Sequence, residues 1–297
     1  MKYQIRFLLC ACVLFMAAAK SAGADPFSID LNRFTYSYGS TNHTLDFSVA
    51  SDFIPPVIDP ATNYRLVWET VETAGSNAAV DGVYRMSIPQ ATTLLPDPLA
   101  ISAIGGYSDG RPIGAAPLDW QVSALISNIA NASTVNTMYE VHVGGGTYDI
   151  GGVNARVEAT WFTGDLAGTH YDNVLHIGSD IDLAGYQWDS GDGGIFLTDL
   201  NPQDTTLELM VDITNSGQTF SSYYRLDNQS SWNLAQTHTL PSGIGAMTGF
   251  ADSHPYVAIE NFSAVPVPPA LWLFGSGLLG LIGVARRKPR EARSRAQ

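Results

Sequence analysis

The chain is 297 residues long with a formal charge of −13, but that figure averages unlike parts. Residues 25–265 hold six arginines, no lysine and 27 acids, 21 of them aspartate, which leaves −21 on that stretch alone. So acidic a body excludes nucleic acid and anionic lipid surfaces as partners, since both require a basic footprint, and about 240 residues are ample for one all-β domain with its own core.

Residues 1–24 read as a secretory signal peptide. Lys2 and Arg6 form the positive start, Phe7 to Ala19 an apolar run, and Ala22-Gly23-Ala24 a small-residue cleavage site before Asp25-Pro26. The run is too short to span a bilayer comfortably, so removal is expected rather than anchoring. Both cysteines, Cys10 and Cys12, fall inside it. The mature chain therefore has no disulfide, no thiol nucleophile and no cysteine-bound zinc.

From Asp25 onward the pattern is one of short strands joined by turns. Phe27/Ile29/Leu31, Leu45/Phe47/Val49 and Tyr64/Leu66/Trp68 alternate with polar partners, and Val83, Tyr84, Met86 and Ile88 do so less regularly. Tyr38-Gly39-Ser40 and Ile54-Pro55-Pro56 supply turns. Residues 94–117, with four prolines and four glycines, predict a long loop or an insertion. Within it Gly106-Tyr107-Ser108-Asp109-Gly110 matches the Gly-x-Ser-x-Gly of a nucleophile elbow, which needs a strand before the serine, for which Leu99 to Ile104 would serve, and a helix directly after it. Arg111-Pro112-Ile113-Gly114 is poor helix material, so an ordinary Gly-Ser turn is expected. Next, Asp119 as a cap and Val122, Leu125, Ile126 and Ile129 at the spacing of one helical face predict a single short helix packed on a sheet.

The second half alternates more strongly. Val153, Ala155, Val157, Ala159 and Trp161 share one face, with Asn154, Arg156, Glu158 and Thr160 on the other; Leu207, Leu209, Val211 and Ile213 repeat the pattern. Tyr223 to Leu226 and Trp232 to Leu234 flank Asp227-Asn228-Gln229-Ser230 as a hairpin, and Tyr256 to Phe262 close the body. This succession over residues 150–262 resembles the curved-sheet half of concanavalin-A-like jelly rolls. The resemblance implies a jelly-roll-like β-sandwich ectodomain over residues 25–264.

Chemistry-bearing residues are sparse. The nearest acidic pairs are Glu69 with Glu72, Asp180 with Asp182 and Asp189 with Asp192. A spacing of three puts Glu69 and Glu72 on opposite strand faces, and no third acid follows Asp182, so no glycosidase is expected and the chain reads as non-enzymatic. Asp180, Asp182, Asp189 and Asp192 offer hard oxygens that a calcium ion could take, though Gly191 and Leu200 break the EF-hand pattern; otherwise no cofactor is implied. The six histidines are scattered and read as structural or solvated. Tyr223, Tyr224 and Trp232 are the candidates for stacking on sugar rings, with burial in the core as the alternative fate.

The last 33 residues form a separate signal. Val265-Pro266-Val267-Pro268-Pro269 precedes an uncharged apolar run, Ala270 to Ala285, and a basic tail over 286–297 beginning Arg286-Arg287-Lys288. At about 1.5 Å per residue the run makes a helix of roughly 24 Å, short of a ~30 Å hydrocarbon core, and snorkelling of Arg286 and Arg287 closes much of the gap. The order of motif, span and basic stop resembles the PEP-CTERM sorting domain of Gram-negative exported proteins in its Val-Pro-x-Pro form, with Val267 where the family's glutamate stands. The resemblance implies recognition by an exosortase-type membrane protease and release of the ectodomain; a permanent single-pass anchor is the alternative. The expected product is crossed through the inner membrane, held there at least transiently, and then placed at the cell surface or in the extracellular matrix. Its partners would be the protease, the membrane through the apolar run, and extracellular polysaccharide. A carbohydrate-binding, or less readily carbohydrate-cleaving, lectin-like module is the alternative function.

Overall fold

Period-two alternation starts at the first described strand, where Phe27, Ile29 and Leu31 are all fully buried. The computed structural model describes residues 25–38, 41–48, 57–59, 64–72, 76–89, 101–108, 119–132, 137–146, 154–166, 169–183, 185–190, 193–227, 229–247 and 254–263. In chain order the strands of the first half are β1 (Phe27–Tyr38), β2 (Thr41–Asp46), β3 (Val57–Asp59), β4 (Tyr64–Glu72), β5 (Ser76–Val80), β6 (Val83–Ile88), β7 (Ile101–Ser108) and β8 (Trp120–Ala130). Then follow β9 (Thr137–Gly146), β10 (Asn154–Leu166), β11 (Thr169–Leu183), β12 (Tyr186–Asp189), β13 (Ile195–Leu197), β14 (Leu207–Thr214), β15 (Thr219–Leu226), β16 (Asn233–Thr239) and β17 (His254–Ser263).

These strands form two antiparallel sheets. The first has the order β16-β15-β14-β8-β1-β6-β5, with β2 also on β1; the second runs β12-β11-β10-β9-β17-β7-β4-β3, with β13 also on β11. One apolar core joins them. Phe27 of β1 stacks on Tyr139 of β9 with ring centroids 4.5 Å apart, and the hydroxyls of Ser179 and Ser222 meet across the layer at 2.7 Å. Trp120 lies against β9 at Gly145, where an added Cβ would come within 2.6 Å of the indole, while its Nε1 donates to the Met247 carbonyl at 3.0 Å. Trp161, the largest fully buried side chain among the described residues, fills the same layer from β10. The two-sheet, all-β expectation therefore holds, as do the alternating strands at 154–166 and 207–214, the hairpin of β15 with β16, and the closing strand.

Two expectations do not hold. Residues 119–133 are not a helix: β8 is an inner strand of the first sheet, and Trp120, Val122, Ala124 and Ile126 alternate inward. The false helical spacing comes from a bulge. Between Ser127, opposite Asp30, and Ala130, opposite Ser28, β8 carries one extra residue, with Asn128 at φ 49°, so the next buried side chain is Ile129 rather than residue 128. Asp119 caps nothing helical; its carboxylate accepts from the Gly217 amide at 3.3 Å. Residues 94–117 are likewise neither one long loop nor an insertion at a sheet edge: the strand expected over residues 99–104 is present as β7 and sits inside the second sheet between β17 and β4. Ser108 ends that strand, and the residues that would have to form the elbow's helix lie outside the described residues.

The signal peptide at 1–24 and the sorting segment at 265–297, including the run 270–285, also lie outside the described residues. Among the described residues no helix is long and apolar enough to cross a membrane.

The strand assignment of β8 makes a sharp forecast. Ala124→Asp, which buries a charge without a partner, should cost more than about 3 kcal/mol or prevent folding, whereas Leu125→Thr on the opposite face should cost less than about 1.5 kcal/mol. Urea unfolding of the two variants decides between strand and helix, since a helical face would make position 125 the sensitive one.

Candidate functional site

Strand alternation sends one set of side chains from β9, β10 and β17 into the core and the other set to the outer face of the second sheet. On that outer face the three strands are in register, and three rows result. Arg156, Gly144 and Tyr256 form the first; Glu158, His142 and Ala258 the second; Thr160, Glu140 and Glu260 the third. Asp180 of β11 extends the first row beyond Arg156. Gly144 is required where it stands, because a Cβ there would lie 2.5 Å from the Ala155 carbonyl and 2.7 Å from Arg156 Cβ. With no side chain in that position, Arg156 can lie close along the row.

His142 is the centre of the arrangement. Its side chain is 3% exposed, and its Nε2 is 2.9 Å from Glu260, 3.0 Å from Glu140 and 3.8 Å from Glu158. Burial alone would push the imidazole toward neutrality, but the Glu260 charge and hydrogen bonds to Glu140 and Glu260 outweigh it and hold its pKa at about 10. His142 is thus an imidazolium at neutral pH. Glu260 gains in return: burial opposes its ionisation, yet the adjacent His142 keeps its carboxyl below the usual range. Arg156 Nε meets Glu158 at 2.7 Å and its Nη2 reaches Asp180 at 3.3 Å. Burial nonetheless raises the carboxyls of Glu158 and Asp180, and for Asp180 the neighbouring Asp189 and Asp182 add to it. Thr160 Oγ1 donates to Glu140 at 3.0 Å.

Beside this cluster lies a cleft of about 280 Å³, lined by Glu140, Glu158, Phe162, Tyr171, His176, Asp189, Ser190 and Phe196 among others. Phe196 is 51% exposed and packs on the His176 ring at 4.5 Å; Tyr171 meets Phe162 edge-on at 5.9 Å. The cleft therefore combines open aromatic surface with carboxylate and hydroxyl oxygens.

Ligand atoms of Glu140, His142 and Glu158 lie within 4.8 Å of one another, close enough to surround a metal ion. At neutral pH the imidazolium of His142 stands where that cation would go. The aspartates singled out from the sequence do gather: Asp180 is directly opposite Asp189, and Asp182 shares its face two residues on and accepts from Gln187 at 3.2 Å. Asp192 lies outside the described residues. Tyr223, Tyr224 and Trp232 are all half-buried and do not form one platform. Tyr224 packs toward the core, Tyr223 points to the other face of β15, and Trp232 is covered by the Arg225 guanidinium at 4.4 Å.

Glu140, Glu158 and Glu260 escape a search for acids that neighbour one another along the chain, since each comes from a different strand. The available signal was polar alternation, Arg156-x-Glu158-x-Thr160 and Glu140-x-His142, on strands whose inward faces are wholly apolar. Of the histidines, His142 proves structural and dry rather than solvated.

No family model and no curated protein matches the chain. Among solved structures there is a weak likeness to the VIP36 exoplasmic/lumenal domain. Its Ca2+/Man-bound form has a TM-score of 0.26 at 13% identity, over 66% of this chain and 82% of that one. Its metal-free form has 0.24 at 14%, over 66% and 84%.

The raised pKa of His142 makes its contribution to stability depend on alkaline pH. Unfolded, the imidazole releases its proton near 6.5; folded, near 10. Its contribution is therefore complete below pH 6.5 and lost as pH rises through 10. Glu260 acts in the opposite sense, contributing above its ordinary 4.5 and failing as pH falls through its depressed value. Urea midpoints should decline from pH 7 to 10 in the wild type. His142→Gln should remove that decline and lower stability at pH 7 by about 3–5 kcal/mol, since it leaves buried carboxylates unpaired. Equal pH slopes in the two proteins would contradict a protonated His142.

Proposed function

We propose that this chain is an exported cell-surface or extracellular protein of a Gram-negative bacterium, and that its β-sandwich body binds polysaccharide, without cleaving it, in the cleft of the second sheet. The observation that carries the binding half is the cleft itself. Phe162, Tyr171 and Phe196 come from three strands to the same space as Glu140, Glu158 and Asp189. Aromatic faces stack on the C–H faces of sugar rings while carboxylates accept from ring hydroxyls. Binding without hydrolysis is supported by how the carboxylates are engaged. Glu140 accepts from Thr160 and His142, and Glu158 accepts from Arg156, so each is tied to a fixed donor rather than left to pass a proton to a leaving group.

Delivery rests on the terminal segments. Val265, Pro266, Val267 and Pro268, the apolar run, and Arg286, Arg287 and Lys288 follow the order of motif, span and basic stop in which the segment resembles an exosortase substrate. Residues 1–24 supply entry to the export route. An acidic, cysteine-free body suits an extracellular setting through solubility and indifference to redox conditions.

A screen of neutral and charged polysaccharides against the full-length protein, with and without added calcium, tests the binding half. Phe196→Ala and Tyr171→Ala should each weaken the tightest hit by about tenfold, or roughly 1.4 kcal/mol. Failure of every glycan to bind would overturn the reading, and release of reducing ends would overturn its non-enzymatic part. Mass spectrometry of protein from the native host should find a C-terminus near Pro268. An intact Gln297 would sink the processing claim.

A further inference from the structure

The outer face of the first sheet carries a second charged row, opposite in sign to the one around His142. Arg33 of β1, Leu125 of β8, Glu208 of β14 and Arg225 of β15 stand side by side in register across four strands. Arg33 reaches over Leu125 to place its Nη2 2.8 Å from Glu208 Oε1, while Arg225 Nε donates to Oε2 at 2.5 Å and its Nη2 closes on the same oxygen. Glu208 is 6% exposed, against 38% for Arg33 and 24% for Arg225. The carboxylate is thus a buried anchor, and the two guanidiniums project from it. Trp232 packs on the face of Arg225 and fixes its plane.

Two cations on one anion is unusual for this chain. Arg85 is matched to Asp30 by paired contacts of 2.7 and 2.9 Å, and Arg156 is outnumbered by Glu158 and Asp180. Among the described residues Arg33 and Arg225 meet no carboxylate but Glu208 within ion-pair distance. Each guanidinium has five N–H donors, so most of theirs are unused. They open on a pocket of about 240 Å³ completed by Leu125, Thr206 and Gln229. The Gln229 carbonyl oxygen accepts from Leu226 N and Asn233 Nδ2, which leaves its amide N–H groups as a further donor to the pocket. The nearest acids keep their own donors: Asp46, opposite Arg33, accepts from Ser48 while still feeling the Arg33 charge, and Asp227 accepts from the Thr206 amide.

We propose that this pocket binds the carboxylate of an acidic sugar unit, such as a uronate. The rim presents N–H donors from two guanidiniums and from the Gln229 amide, and paired guanidiniums suit a planar carboxylate. Leu125 adds apolar surface that a sugar ring uses and a free inorganic anion does not. Repulsion from the −21 body is screened beyond about 8 Å at physiological salt, so the local donors decide the binding. The site is independent of the cleft on the second sheet, and its failure would leave that reading intact.

Titration calorimetry of the full-length protein with trigalacturonate, maltotriose and inorganic phosphate tests the assignment. Saturable trigalacturonate binding is expected, weakened about tenfold by Arg33→Gln and again by Gln229→Glu, with no binding of maltotriose to this pocket. Gln229→Glu lies at the exposed mouth and keeps the proposal testable should Arg33→Gln disturb the row, and thermal melts establish that each variant is folded. Absence of trigalacturonate binding, or equal affinity in wild type and both folded variants, would overturn the proposal. Phosphate binding with this variant dependence, in place of trigalacturonate, would overturn the acidic-sugar assignment.

Discussion

Three carboxylates on adjacent strands cannot share a half-dry sheet face unless a cation stands among them. His142 is that cation. Glu140 on its own strand, Glu158 on one neighbour and Glu260 on the other all turn toward its Nε2, so the central trio of the second sheet is tied together by charge on one face and by apolar packing on the other. Desolvating four ionisable groups is costly, and only their mutual proximity offsets it. The first sheet inverts the scheme, with a buried glutamate held between two arginines. In a body with so few cations, Arg33, Arg85, Arg156, Arg225 and His142 are all spent on buried or half-buried carboxylates.

The fold was legible wherever the hydrophobic period was unbroken. Ala155 to Trp161 and Leu207 to Ile213 are read correctly because each inward side chain is apolar and no bulge shifts the count. β8 was misread for one local reason. A single extra residue at Asn128 turns a spacing of two into one of three, and a strand then imitates a helical face. The strand at residues 99–104 was legible from its apolar residues, but its extension through Gly105 and Gly106 and its place between two neighbours inside the sheet were not.

The site was much less legible, and the reason is topological. Glu140, Glu158 and Glu260 meet because β9 lies between β10 and β17, an adjacency that no local pattern announces. What the sequence did carry was the polar character of alternate positions, which reads as ordinary solvent-facing surface. Only burial distinguishes His142 from a solvated histidine, and burial depends on what covers the face. The arginine pair has the same character: Arg33 and Arg225 are far apart in the chain and become neighbours through the register of β1, β8, β14 and β15.

At Gly144 and Gly145 the wall between core and outer face is a bare backbone. Trp120 presses on one side of it and Arg156 on the other, each nearer than any added methyl would allow. The two layers therefore share a mechanical datum: the distance between the sheets and the seat of the charged cluster are referenced to the same few atoms of β9. Drift in core packing is passed to the outer face without slack, so the outer geometry can be no looser than the fit of one indole ring.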